Sequence, residues 1–142
     1  MGIYEVTRDN YLISTNRQKL DVFSIHRFLT QSYWSKGISI DKTKKSIFNS
    51  LCFGVYHGKK QIGFARVVTD YTLFGYLADL FIIEEYRGLG LAKWLMESIV
   101  NHPEIKDVRA IMLATKDAHS LYKKFGFKLL EDPEKYMKKK NW

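Results

Sequence analysis

The sequence predicts a single α/β domain spanning residues 1–142, α+β under stricter schemes, and three observations carry that prediction. The 142 residues amount to about one domain, which leaves no room for a second of full size. At 46% hydrophobic, 15% aromatic and 27% charged, the chain can bury a core and does not have a disordered composition. Helical and strand periods then succeed one another: helices first, a hairpin next, and strand and helix in alternation to the end.

Each element has a local cause. Leu20–Trp34 places Val22, Ile25, Leu29 and Tyr33 at helical spacing with His26, Arg27 and Gln31 between them, which predicts an amphipathic helix broken by Ser35-Lys36-Gly37. A short helix over Asp41–Asn49 follows, capped by Asp41, with Ile47 and Phe48 as its apolar face. Leu51–Tyr56 and Gln61–Thr69 flank the turn His57-Gly58-Lys59-Lys60 and read as a hairpin. Tyr76–Ile83 is apolar, too short for a typical helix and bounded by turn signals, so it reads as an interior strand. Gly88–Val100 is helical and apolar over most of its circumference, ended by Pro103. Val108–Ala114 reads as a strand, Asp117–Phe125 as a helix stopped by Gly126, and Phe127–Leu130 as the start of a last strand.

Lys and Arg at 23 against Asp and Glu at 15 leave a net charge of +8, which suits a polyanion, an acidic surface or a phosphate-bearing small molecule. The single cysteine, Cys52, excludes an internal disulfide and a multi-cysteine zinc site and reads as a buried thiol, so the expected compartment is the cytoplasm and no metal is expected. The opening MGIYEVTRDN lacks an apolar signal core, and no run approaches the roughly 20 apolar residues of a membrane span. Met1-Gly2 is no acylation signal, because position 6 is Val.

The most informative stretch is YLADLFIIEEYRGLGLAKWLMESIV, which sets Arg87-Gly88-Leu89-Gly90-Leu91-Ala92 between a buried strand and the start of a deep helix. A helix start leaves N–H groups unpaired and carries partial positive charge, and glycines let a phosphate approach that backbone. The run is therefore either a pyrophosphate cradle or a plain strand-to-helix turn. It has neither the spacing of an ATP-type loop nor the third glycine of a dinucleotide fingerprint.

Read as Arg-x-x-Gly-x-Ala, the loop resembles the acetyl-CoA-binding motif of the GCN5-related N-acetyltransferase (GNAT) family. DAHSLYKKFGF, residues 117–127, resembles the family's later segment, with Ala118, Leu121-Tyr122 and Gly126-Phe127 in the recurring places. The resemblance implies the acyl-CoA N-acyltransferase fold, a central mixed and mostly antiparallel sheet flanked by helices. It implies acetyl-CoA as cosubstrate and direct transfer to a primary amine, on a small molecule or a protein, in a ternary complex. It implies a phosphate loop of Arg87, Gly88, Leu89, Gly90, Leu91 and Ala92, and a pantetheine arm paired with the main chain of Phe81, Ile82 and Ile83. Where many members carry Asn, this chain has Thr115.

Acetyl transfer needs a neutral amine, a stabilised oxyanion and a protonated leaving thiolate. An alkylamine has a pKa near 10.4 and must lose a proton on the way to reaction. Asp79 is the only acid in the Tyr76–Ile83 run and is either the base or a carboxylate paired with a structural arginine such as Arg66. Tyr76-Leu77-Ala78-Asp79 is similar to the Tyr-Leu-Glu-Asp stretch of polyamine acetyltransferases, with Ala78 in place of the glutamate, so a water relay is equally open. Tyr122 occupies the family's tyrosine place and is the candidate acid, against a reading as a core tyrosine with a wet hydroxyl. His119 is a weaker candidate base.

Tyr33, Trp34 and Phe74, with Arg66 or Asp70 for polarity, are the candidate acceptor pocket. A non-catalytic CoA-binding protein is the alternative from the binding class. A nucleic-acid-binding module is disfavoured, because the basic residues are scattered apart from Lys138-Lys139-Lys140 and no recognition motif is present. No membrane partner is expected, and a homodimer is open.

Overall fold

The computed structural model describes all residues from Met1 to Trp142. Its frame is one six-stranded sheet with its strands in chain order. β1 (Glu5–Arg8) and β2 (Tyr11–Ser14) form an N-terminal hairpin that the sequence pattern did not mark. Its two-residue turn is set by Asp9 at φ 52°, a conformation that Asp tolerates better than most residues. β3 (Leu51–His57), β4 (Lys60–Thr69) and β5 (Phe74–Ile82) continue the antiparallel ladder, and β6 (Ala110–Met112) joins β5 in parallel. The mixed, mostly antiparallel sheet is as expected.

Alternation along the strands divides the core in two. Phe53, Val55 and Val67 face one side of the sheet, where α3 (Leu91–Val100) buries Leu91, Leu95, Met96 and Ile99. Cys52, Phe64 and Phe81 face the other, under α1 (Val22–Leu29) and α2 (Ile40–Phe48), which contribute Ile25, Leu29 and Ile47. Burial pushes the Cys52 thiol up to about 11, outweighing the opposing pull of Arg17 and Arg66. At pH 8 a thiol reagent is therefore expected to label native Cys52 at least ~100-fold more slowly than the denatured chain, measured by mass shift against time.

The structure corrects several boundaries. α1 stops at Leu29, and Tyr33 and Trp34, placed by period on the same helix, lie in a compact turn closed by Gly37 N–H donating to Thr30 O at 2.8 Å. α2 is capped by Ser39, whose hydroxyl accepts from Lys42 N, and not by Asp41. α4 is short, His119–Lys123. Phe127–Leu130 forms no strand; together with β6 it borders an apolar groove of about 540 Å³. No helix is long and apolar enough to cross a membrane.

Candidate active site

β5 and β6 are joined only at Phe74–Tyr76 and Ala110–Met112. Beyond Tyr76 the two strands part, and β5 runs on to Ile82 with that edge free of any sheet partner. The gap is a cleft of about 830 Å³, bordered by Ala78–Ile82 on one side and Leu113–Ala118 on the other. Unpaired strand edge is what an extended chain bearing amide groups can pair with.

Arg87 and Ala92, which flank the glycine loop, both line the cleft. Gly88 and Gly90 have φ of 80° and 77°, and a Cβ built on either would meet no atom within 4 Å. Positive φ explains the glycines locally, and the empty space beyond them leaves the backbone approachable. Gly90 is the N-cap of α3, and no side chain caps the helix there. The N-terminal amide donors thus await an outside acceptor. Arg87 Nε donates to Ile82 O at 2.9 Å, tying its guanidinium to the end of β5. Leu89 is exposed, whereas Leu91, Phe81 and Ile82 are buried in the core, so these last three can meet a ligand only through main chain. Ile83 is half-buried.

Asp79 has a more particular setting. Opposite the single residue Ala65, β5 carries both Asp79 and Leu80, because Phe64 faces Phe81 while Arg66 faces Ala78. This is a β-bulge, and Asp79 adopts φ 57° at it. Simple alternation from Leu77 would turn Asp79 toward α3; the bulge turns it to the face of Arg66. There Arg66 Nε donates to Asp79 Oδ2 at 2.6 Å and Trp34 Nε1 donates to Oδ1 at 2.8 Å. The carboxylate is 6% exposed. Each oxygen thus accepts one hydrogen bond, and the two donors fix the orientation of the carboxylate. Arg66 also reaches Ser50 Oγ at 3.1 Å.

Tyr122 lines the cleft from α4, half-buried, its ring edge-on to Phe127 at 6.0 Å. Burial raises its pKa above the ordinary tyrosine value, and the nearby Tyr33 and Asp117 act in the same direction. The phenol therefore keeps its proton across the neutral range. Thr115, in the loop before α4, spends its hydroxyl lone pair on Ala118 N at 3.1 Å.

Tyr33, Trp34 and Arg66 all reach the cleft, and Phe74 does not. Phe74 sits where β5 is still paired to β6, and Tyr76, two residues on, borders the opening instead. Asp70 is also absent from the cleft: one of its oxygens accepts from the amides of Thr72, Leu73 and Phe74, which closes the β4–β5 turn and lowers its pKa. His119 is exposed and borders the apolar groove beside β6. Phe28, Lys116 and Asp117 are cleft residues that the sequence reading missed. Phe28 could have been found on the α1 stripe, beside Ile25 and Leu29. No group of His, Cys, Asp and Glu side chains is placed to hold a metal.

Residues 48–129 match the family model of the acetyltransferase (GNAT) domain. An uncharacterized N-acetyltransferase of Prochlorococcus marinus is 30% identical over 130 residues, covering 87% of this chain and 72% of its own. Among solved structures, a putative acetyltransferase of Xanthomonas campestris assigned to the same family superposes with a TM-score of 0.89 at 40% identity, covering 92% of each chain. A predicted acetyltransferase of Clostridium acetobutylicum, solved with acetyl-CoA, shares the fold at a TM-score of 0.66 and 14% identity, covering 98% of this chain and 95% of its own. With this sheet, this loop and these relatives, the chain belongs to the GNAT family of acetyltransferases.

Proposed function

We propose that residues 1–142 act as one N-acetyltransferase domain that moves an acetyl group from acetyl-CoA to a primary amine within a ternary complex. The observation that carries this reading is the continuity of the cleft. Its lining joins the free β5 edge to Arg87 and Ala92, which flank the uncapped N-terminus of α3, and to the proton-bearing Tyr122. The Clostridium acetobutylicum neighbour reported with acetyl-CoA supports the same choice of donor.

When bound, acetyl-CoA supplies the thioester that the amine attacks. The chain's own part divides along the cleft. Gly88, Gly90 and the first amides of α3, with the charge of Arg87, are the fitting place for the pyrophosphate. The main chain of Phe81 and Ile82, on the cleft wall, would pair with the pantetheine arm, whereas Ile83 already donates its amide to Ile62 O and accepts from Tyr86 N. Tyr122 holds its proton and gives it to the departing thiolate. With Asp79 held in place by Arg66 and Trp34, water at the open mouth is the proton acceptor we assign to the amine.

Calorimetric titration of acetyl-CoA, followed by a thiol-release assay over a panel of alkylamines, arylalkylamines and lysine peptides, tests the reading. Saturable binding and amine-dependent thiol release are expected. Binding without release for any amine would leave a CoA-binding protein, and no binding would overturn the assignment.

A further inference from the structure

We propose that the adjacent residues Tyr33 and Trp34 form a clasp across the mouth of the cleft, and that Asp79, acting through Trp34, is a positioning residue of the acceptor subsite. This rests on the acetyl-transfer reading above.

The two walls of the cleft are not tied by sheet hydrogen bonds beyond Tyr76 and Met112. Two consecutive side chains of the α1–α2 connection reach one wall each. Trp34 donates to Asp79 Oδ1 on the β5 wall at 2.8 Å, and Tyr33 Oη accepts from Lys116 N on the facing wall at 3.2 Å. The rings of Tyr33 and Trp34 meet edge to face at 5.1 Å. Behind them Trp34 leans on Phe28, and Phe28 stacks on Phe81 of β5 at 3.9 Å, so an aromatic series runs from the core of the sheet to the clasp.

The connection itself is a closed unit. Gly37 N–H donates to Thr30 O, Ser35 N–H to Ser32 Oγ, and Ile38 N–H to Ser35 O, while His26 Nε2 meets Ile38 O at 2.9 Å. A unit so closed at the end of α1 moves as one body, so a bond at either prong fixes both. Asp79 supplies the β5 anchor. The bulge aims its carboxylate out of the α3 core, Arg66 holds one oxygen, and the other is presented to the indole. Tyr33 and Trp34 remain 56% and 42% exposed, so their outer faces are open to an acceptor entering the cleft.

Trp34→Phe deletes the indole N–H donor and also trims the bicyclic ring that packs on Tyr33 and Phe28, whereas Asp79→Asn leaves the indole whole and serves as the second arm. Trp34→Phe is expected to raise the acceptor KM about 10-fold or more, as for a lost hydrogen bond to a charged group, with acetyl-CoA affinity within about twofold and kcat changed less than KM. Asp79→Asn should raise KM similarly, and the double variant should be no worse than Asp79→Asn alone, because the two share one interaction. Hydrogen–deuterium exchange of residues 31–38 should quicken in Trp34→Phe and Tyr33→Phe, and that of 113–118 in Tyr33→Phe. An unchanged KM and unchanged exchange in Trp34→Phe would overturn the clasp. An Asp79→Asn enzyme that lost an acidic limb of the pH profile retained by Trp34→Phe would overturn the positioning role and make Asp79 the base. If Asp79→Asn fails to fold, Trp34→Phe and Tyr33→Phe decide alone. A wild type without acetyl-CoA binding would remove the reaction, while the exchange data would still decide the clasp.

Discussion

Tyr122→Phe is expected to lower turnover by roughly 10²–10⁴ while leaving acetyl-CoA affinity within a few fold, the usual span for losing a general acid. The ring stays, and so does its edge-on contact with Phe127, so the fold should tolerate the change. Only the proton that meets the leaving thiolate is removed. Because burial raises the Tyr122 pKa, the donor form should persist beyond the ordinary tyrosine range near pH 10. With water as proton acceptor, wild-type kcat/KM should climb about tenfold per pH unit below the acceptor's own pKa, since the neutral amine is then the scarce reactant. Steady-state rates from pH 6 to 10 in both proteins check this. Wild-type turnover in the variant would move the acid role to water or another group.

Gly90→Asp is expected to weaken acetyl-CoA binding by about 100-fold or more and to leave the fold standing. At φ 77° a non-glycine residue is strained by about 1–2 kcal/mol. Asp tolerates this conformation better than most, and its charge is favourable at a helix N-terminus. The new carboxylate meets no protein atom at its Cβ and occupies the space in front of the α3 amides. An anion placed there competes with the phosphates for the same donors and repels them. Calorimetry read beside a thermal melt separates the two effects. An unchanged dissociation constant in a folded variant would remove the phosphate-loop assignment.

The loop was legible in the sequence because its chemistry is local. A strand end, two glycines and a helix start lie within one short run, and the structure keeps them in that order. The β3–β4 hairpin and the α3 helix were legible for the same reason: each period is repeated by close neighbours, and tertiary contacts act in the same direction. The β1–β2 hairpin escaped because its strands are four residues each and their side chains are mostly exposed or half-buried, which leaves little apolar alternation to read. Phe127–Leu130 read as a strand from its apolar residues, yet a strand needs a partner edge, and none pairs with it.

What the sequence by itself determined is the order of elements from α1 to α4 and the loop that opens α3. What the tertiary structure alone decided is the chemistry around Asp79. Period-two counting sends Asp79 toward α3, and a single inserted residue in β5 reverses that, although no local residue pattern announces it. Helical counting put Tyr33 on α1, but the chain leaves the helix at Leu29 and delivers Tyr33 and Trp34 to opposite walls of the cleft. The bonds that define this corner join residues 13, 45 and 83 positions apart. Propensity and periodicity act over a turn or a strand, whereas these contacts exist only once the sheet has brought distant segments together.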